Sequence, residues 1–378
     1  MNPGFSVIMT SFNYGRYIGA AIESVLAQTR QDWELLIVDD CSQDDSWEIV
    51  KRYPDPRIKA HRHSVNQGAC AAYNRALNMA RGDYIASLDS DDLFMPTKLE
   101  RQGEFLASHP EVGICGTFVV EIDGDGGKMT EQTPFADWFN VAMDLNVPVN
   151  WMRENRLCHS GAVVRTELHK LVGDFDNKLV YTPDWQFWVR SLVAGVRFHV
   201  LDQPLVGYRN HGANITHKNT QGAVLEQADT SARFFIPWLV RQERLDLVDR
   251  IVRSYVSDCT SDDLQRKIAE RLCHGGVESG MALISLVRRQ DAELAARDVE
   301  INRLAQGNEW LSSQREAWEN AATEREQTIG RLMVQMQANA EQLATALAEL
   351  AARDASLAMI RQDRGMRVTN FLRGGKFF

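Results

Sequence analysis

The sequence contains no long apolar run. In its 378 residues, no stretch approaches the roughly 18 consecutive apolar residues that a membrane-spanning helix requires. The first residues, Met1-Asn2-Pro3-Gly4, precede a predicted strand without the charged region and cleavage site of a secretory leader. These absences predict a cytoplasmic protein, and any contact with a membrane would be at its inner surface.

Cysteine is scarce, and positive charge is not in excess. The six cysteines form no Cys-x-x-Cys pair and no short metal-binding spacing. A chain of this length builds a core without disulfides, so we expect reduced, structural thiols. The 42 Lys and Arg against 51 Asp and Glu give a net charge of −9. Because clustered cations hold phosphate backbones, this balance weighs against a nucleic-acid partner.

Proline, cysteine and histidine are absent from the C-terminal part. All ten prolines lie between Pro3 and Pro237, and all cysteines and histidines lie at or before His274. The length allows two or three domains. We predict an α/β domain at 1–220, a helical annex at 221–286, a coiled coil at 287–360 and a basic, aromatic tail at 361–378.

The first 92 residues alternate strand and helix patterns. This alternation predicts a mostly parallel sheet flanked by helices, with ligands bound at the carboxyl ends of the strands. Polar clusters follow three predicted strands, at 10–13, 39–40 and 89–92. Turn formation and helix capping explain any single cluster. Three carboxylates within Asp89-Ser-Asp-Asp92 are more easily tolerated around a divalent cation.

Taken in order, four segments resemble the family 2 glycosyltransferases, which have the GT-A fold. The opening strand ends in Thr-Ser-Phe-Asn13, and Leu36 to Asp44 is similar to the family's Val-Val-Asp-Asp-Gly-Ser-x-Asp, with Cys41 in place of Gly. Asn66-Gln-Gly68 matches an Asn-x-Gly element, and Gly82 to Asp92 matches the DxD region. The resemblance covers roughly residues 4 to 217.

The resemblance implies a nucleotide-sugar donor and a Mg²⁺ or Mn²⁺ cofactor. It implies that Asp39 hydrogen-bonds the base, Asp89 approaches the ribose, and Asp91 holds the metal against the diphosphate. Asp92 either caps a helix beginning near Pro96 or joins the metal shell. The other residues implied in nucleotide binding are Thr10, Phe12, Asn13, Asn66 and Gly68, with Phe12 stacking on the base.

A second candidate site lies at 181–188, where Asp184 precedes several aromatic residues. From the residues alone, an N-cap followed by a core-facing aromatic stripe is the simpler interpretation. The segment resembles the family's Glu-Asp-Trp motif, although Pro183 replaces the Glu. The resemblance implies that Asp184 is the general base, and Trp185 is predicted to stack on an acceptor sugar.

The segment Tyr208-Arg-Asn-His211 is similar to the family's Tyr-Arg-x-His element. A lone histidine is more often structural than a ligand, but the resemblance makes His211 a further metal ligand. Arg209 is left to pair with either a phosphate or a carboxylate.

The function implied is inverting transfer of one sugar to the hydroxyl of a glycan or glycolipid acceptor, in surface polysaccharide or glycolipid assembly. No Gln-x-x-Arg-Trp of processive synthases is present. A nucleotidyltransferase would also use acidic metal ligands, but should have a Gly-rich, basic opening loop, unlike residues 10–15. A vestigial transferase domain that serves as a coiled-coil scaffold is the other alternative.

A heptad pattern runs through the C-terminal segment and predicts a coiled coil with an identical chain. A helix folded back on the catalytic domain is the alternative. The tail 361–378 suits an anionic membrane surface, and a disordered end is its alternative. Positions 294, 301, 329, 336, 343, 350 and 357 are Leu, Ile, Ile, Met, Leu, Leu and Leu.

Overall fold

A computed structural model describes most of residues 1–272 and parts of the C-terminal segment. The described residues are 3–129, 134–211, 220–257, 261–272 and 318–342, with 288, 292, 295–297, 299, 346, 349 and 353. The predicted tail at 361–378 and most of the predicted coiled coil lie outside them.

The central sheet has the strand order β3-β2-β1-β4-β7-β6-β8-β5. Strands β1 to β4 pair in parallel, whereas β7 runs antiparallel to both of its neighbours, and β5 is antiparallel to β8. The predicted mostly parallel pairing is therefore correct for β1 to β4 and for the β6–β8 pair, and the sheet as a whole is mixed. The strands are β1 Phe5–Ser11, β2 Trp33–Asp39, β3 Ile58–Arg62, β4 Tyr84–Ser87, β5 Leu93–Phe94, β6 Val112–Ile122, β7 Val163–Arg165 and β8 Arg197–Arg209.

Helices cover both faces of the sheet because the strands are apolar on both sides. Alternate residues of β1 point to opposite faces, so Val7 packs with Ile18 and Ile22 of α1, whereas Ile8 packs in a second cluster with Trp188 of α7. The helices are α1 Gly15–Leu26, α2 Ser46–Val50, α3 Ala69–Leu77, α4 Lys98–Ser108, α5 Pro134–Phe139, α6 Glu167–Val172 and α7 Pro183–Val193.

The described part of the predicted annex is mostly helical, with a short turn at 242–244. Its elements are α8 Thr220–Thr230, a π-helical turn Ser231–Phe235, α9 Ile236–Arg241, α10 Leu245–Ser257 and α11 Asp262–Leu272. Their apolar residues, including Phe235 and Ile251, belong to the same buried cluster as Trp188. The annex therefore completes the core on one face of the sheet.

The helix at 318–342 packs back onto the annex. Ile329 and Met333 are buried in the core cluster that α10 also enters. Gly330 faces Leu245, and a Cβ at Gly330 would lie 2.7 Å from Leu245 Cδ1. Leu332 is 46% exposed. The predicted coiled coil is not confirmed: in this segment Ile329 and Met333 enter the core, and Gly330 faces Leu245 of the annex.

Among the described residues, no helix combines the length and the apolar character needed to cross a lipid bilayer.

Candidate functional site

The turns after β1 and β2 are tied together at the carboxyl edge of the sheet. The Asn13 N–H donates to Ser42 Oγ at 2.9 Å, and the Gln43 N–H donates to Asn13 Oδ1 at 2.7 Å. Phe12 lies beside this connection and is 42% exposed. Its ring is therefore available to a ligand at the edge where the sequence predicts nucleotide binding.

Asp39, the last residue of β2, has one free oxygen. Its Oδ2 accepts the Ser42 N–H at 3.1 Å and lies 3.1 Å from Arg62 Nε. Its Oδ1 is buried and has no hydrogen-bond partner. A buried oxygen without a donor is costly, so this atom fits the N–H of a bound group such as a heterocyclic base.

Asp40 holds the Asn66-Gln67-Gly68 turn, a role that the sequence did not reveal. Its carboxylate accepts the N–H groups of Gln67 and Gly68 at 2.9 and 2.7 Å and lies 2.7 Å from His63 Nδ1. Its backbone carbonyl accepts Asn66 Nδ2 at 3.2 Å. Asn66 and Gly68 are exposed beside the site, and Gly68 has φ 92 at the start of α3.

The carboxylates of Asp89 and Asp91 have separate histidine partners. Asp89 Oδ1 lies 2.9 Å from His159 Nδ1, and Asp91 Oδ2 lies 3.0 Å from His211 Nε2. Burial raises the pKa of Asp91, and the neighbouring Asp89 charge raises it further. Asp89 and Asp91 thus place two carboxyl groups close together, where a cation would be favoured.

Asp184 lies in the first turn of α7, half-buried, with both oxygens engaged. Oδ1 accepts the Trp185 N–H at 2.8 Å, and Oδ2 accepts Asn155 Nδ2 at 2.5 Å. Burial raises the pKa of Asp184, and the nearby His159 charge opposes this rise. Asn155 and His159 lie four residues apart, so the segment 155–159 contacts both Asp184 and Asp89.

The comparisons with known proteins assign the family. A model of "Glycosyl transferase family 2" matches residues 6–172. An uncharacterized glycosyltransferase of Methanocaldococcus jannaschii is 30% identical over 211 residues, which are 55% of this chain and 71% of that protein. The chain belongs to glycosyl transferase family 2.

Two relatives carry names that specify a reaction or a pathway. The UDP-Glc:alpha-D-GlcNAc-diphosphoundecaprenol beta-1,3-glucosyltransferase WfaP of Escherichia coli is 28% identical, over 56% of this chain and 79% of WfaP. The putative colanic acid biosynthesis glycosyl transferase WcaA of Escherichia coli K12 is 42% identical, over 26% of this chain and 36% of WcaA. The family 2 transferase thus has relatives in polysaccharide biosynthesis.

A solved structure confirms the fold. The crystal structure of Staphylococcus aureus TarS residues 1–349 with UDP matches with a TM-score of 0.54 and 18% identity, over 76% of this chain and 88% of that chain. At this identity the likeness supports the GT-A type of fold alone.

The side chains of Asp91 and His211 fit a divalent cation that shares its shell with a ligand. Among the described residues, no three or more His, Cys, Asp or Glu side chains form a preformed metal cage. Mg²⁺ sites commonly use one or two carboxylates, with substrate phosphates and water supplying the remaining oxygens. Asp91 supplies one such carboxylate, and His211 lies beside it.

Asp92 neither caps a helix nor points to a free metal position. Its Oδ2 accepts the Ser160 hydroxyl at 2.6 Å, and its Oδ1 accepts the Arg209 N–H at 2.8 Å. Helix α4 begins at Lys98 after Thr97, so the predicted capping role is wrong. Burial, together with the Asp91 and Asp89 charges, raises the pKa of Asp92 well above its usual range. The Asp92 carboxyl group therefore connects the DxD turn to Ser160 and Arg209 on the buried side of the site.

The Arg209 guanidinium also supports the site through backbone groups. It donates to the carbonyls of Asp91 and Asp123 at 2.6 and 2.8 Å, and it lies over the Tyr17 ring. Arg209 is only 2% exposed. Arg209 therefore holds the DxD turn through backbone carbonyl groups. The sequence had suggested only a phosphate or a carboxylate as its partner.

Trp185 belongs to the core. It is 1% exposed and lies in the buried cluster with Phe187 and Trp188. This burial contradicts the predicted contact between Trp185 and an acceptor sugar. For these residues the simpler interpretation, a core-facing aromatic stripe, is correct. Asp184, in the first turn of the same helix, faces Asn155 instead.

Sequence reasoning missed the residues that connect the motifs. Asn155 contacts Asp184, His159 contacts Asp89, and Ser160 contacts both Asp92 and the Asp89 N–H. All three precede β7, where the sequence pattern is irregular. Their partners are 29 to 71 residues away in sequence, so no local pattern could have identified these contacts.

Proposed function

We propose that the protein transfers a sugar from a nucleotide-sugar to an acceptor hydroxyl, with inversion at the anomeric carbon. The observation that carries the proposal is the position of Asp184, a half-buried carboxylate held by Asn155 on the same segment whose His159 contacts Asp89. A general base must lie close to the donor site, and a raised pKa improves its ability to take a proton.

The donor would lie along the carboxyl edge of β1, β2 and β4. Phe12 offers an exposed ring for the base, and the free Asp39 Oδ1 offers an acceptor for one of its N–H groups. Asp89 would face the ribose. Thr10, Asn13, Asn66 and Gly68 complete the proposed nucleotide site.

Asp184 would accept the proton of the acceptor hydroxyl as its oxygen attacks the anomeric carbon. The new oxygen–carbon bond forms while the bond from the anomeric carbon to the diphosphate oxygen breaks, on the opposite side, so the configuration inverts. Asp91 and His211 would hold Mg²⁺ or Mn²⁺, which when bound neutralises charge on the leaving diphosphate. Asn155 keeps the Asp184 carboxylate oriented during this transfer.

The acceptor is proposed to be a glycan or a lipid-linked sugar in surface polysaccharide or glycolipid assembly. The reaction named for WfaP supports UDP-glucose and GlcNAc-diphosphoundecaprenol as the first pair to test. The basic and aromatic composition of 361–378 supports contact with the inner face of an anionic membrane, where such an acceptor would be met.

Release of nucleoside diphosphate tests the proposal directly. The purified full-length protein is incubated with a panel of nucleotide-sugars, including UDP-glucose, with and without Mn²⁺ and with the lipid-linked acceptor. We expect metal-dependent turnover that Asp184→Asn reduces by about 10³-fold or more, since the base is lost.

The matched control is Asp263→Asn, which removes an exposed carboxylate of α11 that pairs with Lys267, and it should retain wild-type turnover. Asp91→Asn should weaken the metal dependence. Absence of both turnover and nucleotide binding across the panel would instead support the scaffold alternative.

A further inference from the structure

The turn that precedes Asp184 is held by a side chain from the annex. Glu226 of α8 accepts three successive backbone N–H groups, those of Val180, Tyr181 and Thr182, at 2.7, 2.9 and 2.8 Å. The Thr182 hydroxyl donates to the same carboxylate at 3.1 Å. One carboxylate side chain therefore fixes the backbone directly before α7.

This arrangement suits the local charge. Helix α7 begins at Pro183, and the N–H groups at a helix N-terminus attract negative charge. Hydrogen bonds from N–H groups to a carboxylate are shorter and stronger than those between neutral groups. Glu226 thus accepts the hydrogen bonds of the N–H groups at 180–182. In doing so it fixes the direction of α7 and the position of Asp184 in its first turn.

The segment that carries Asn155 is held by the same annex. Gln227, next to Glu226 on α8, donates to the Arg153 carbonyl at 3.0 Å. The Arg153 guanidinium donates to the Ser254 carbonyl at 2.6 Å and lies over the Tyr255 ring, both on α10.

Arg153 also has φ 137, a conformation that a non-glycine residue adopts at an energetic cost. Such strain persists where the surrounding contacts enforce it. The annex therefore constrains both Asp184 and its hydrogen-bond donor Asn155, although it contributes neither residue.

We propose that the annex positions the catalytic base: Glu226 sets Asp184 through the 180–182 turn, and Gln227 with α10 sets Asn155 through Arg153. The proposal rests on the proposed function of Asp184. Glu226 and Gln227 are positioning residues, because they act on the reacting groups only through the segments that they hold.

The test compares Glu226→Ala, Glu226→Gln and Gln227→Ala with the control Glu270→Gln, which alters an exposed glutamate of α11. The measurements are kcat with the donor that the wild-type protein turns over, and the Kd for UDP in the presence of Mn²⁺. A displacement of the base by about 1 Å is expected to lower kcat by about 10²-fold. UDP affinity should stay within about twofold, since the donor site is untouched.

A graded response separates positioning from general destabilisation. Glutamine keeps one acceptor oxygen for Tyr181 and Thr182 but faces the Val180 N–H with an amide donor, so its kcat should lie between those of alanine and wild type. Gln227→Ala should lower kcat less than Glu226→Ala does. Equal kcat in Glu226→Ala and the control, or parallel losses of kcat and UDP affinity, would overturn the proposal.

Hydrogen exchange gives a readout that requires no substrate. Amides at 180–182 should exchange faster in Glu226→Ala than in the control, because their acceptor has been removed. Unchanged exchange there contradicts the inference even if the wild-type enzyme is active. If the wild-type protein is inactive but the amides at 180–182 exchange faster in Glu226→Ala, Glu226 holds the turn and the proposed function is wrong. The contact between Glu226 and the turn would then have no role in catalysis.

Discussion

At the scale of single residues, the most unusual side chain is Lys98. It is 0% exposed, its Nζ has no hydrogen-bond partner, and the ammonium lies 4.2 Å from the centroid of the Phe94 ring. Burial lowers the pKa of Lys98 from 10.5 to about 7, although the Cys115 and Cys158 thiols oppose the change. Between about pH 7 and 10.5, the folded protein thus lacks a proton that Lys98 keeps in the unfolded chain.

We expect Lys98→Met to be more stable than wild type at pH 7. Between about pH 7 and 10.5 the unfolded chain binds the additional proton, so wild-type stability should rise with pH. The difference in unfolding free energy between Lys98→Met and wild type should therefore decrease by roughly 3–5 kcal/mol over this interval. Urea unfolding at pH 7 and at about pH 10 measures it.

Lys267→Met, at a largely exposed lysine of α11, is the control and should leave the pH dependence unchanged. Parallel pH profiles for wild type and Lys98→Met would show that Lys98 stays charged in the folded protein.

At the scale of elements, helix α7 combines two functions on its two sides. Its aromatic residues enter the core, which fixes the helix, and Asp184 in its first turn faces Asn155. The position of Asp184, the proposed base, therefore depends on the core packing of α7 and on the hydrogen bond from Asn155.

Asn155→Ala should shift the acid limb of the pH profile of kcat/KM to higher pH. Burial already raises the pKa of Asp184, and the Asn155 hydrogen bond lowers it, so removing this donor raises the pKa further. A hydrogen bond to a charged group is worth about 1.5–3 kcal/mol, which corresponds to a shift of about 1–2 pH units. Initial rates measured across the acid range check the shift.

Asn78→Ala, at an exposed position after α3, is the matched control. If Asn155→Ala lowers the rate equally at every pH, Asn155 orients the carboxylate without changing its ionisation.

At the scale of the whole molecule, the helix at 318–342 packs on the annex, whose α8 holds the turn before Asp184. Ile329 and Met333 supply the buried contacts, and the absence of a side chain at Gly330 allows close approach to Leu245. A homo-oligomer through the heptads beyond this segment stays a prediction.

Gly330→Leu should displace this helix and lower the stability of the protein. The new side chain would meet Leu245, and overpacking of this kind typically costs about 1–3 kcal/mol. Ala338→Leu introduces the same side chain at an exposed position of the same helix, so it is the control. Thermal unfolding and limited proteolysis of 318–342 measure the effect, and equal behaviour of the two variants would show that the helix does not depend on this contact.

How much the sequence could predict differs between the two halves of the catalytic region. In the N-terminal half, the motifs after β1, β2 and β4 are short local sequence patterns, and the structure places each of them at the end of its strand as predicted. Cys41, which stands where the family has Gly, indeed has a left-handed φ of 64. In the C-terminal half, β7 has only three residues and the segments before it are irregular. Few periodic signals mark this part of the chain, so the reversed direction of β7 was not foreseen.

The sequence by itself determined the family, the parallel half of the sheet, and the presence of Asp39, Asp89, Asp91 and Asp184 at strand and helix ends, because these features follow from local patterns. Only the tertiary structure decided how each carboxylate is used. Asp92 became a buried support, Trp185 a core residue and Glu226 an anchor for the turn before Asp184. These roles depend on partners that folding brings together from distant parts of the chain, and hydrogen bonding and burial are set by those partners.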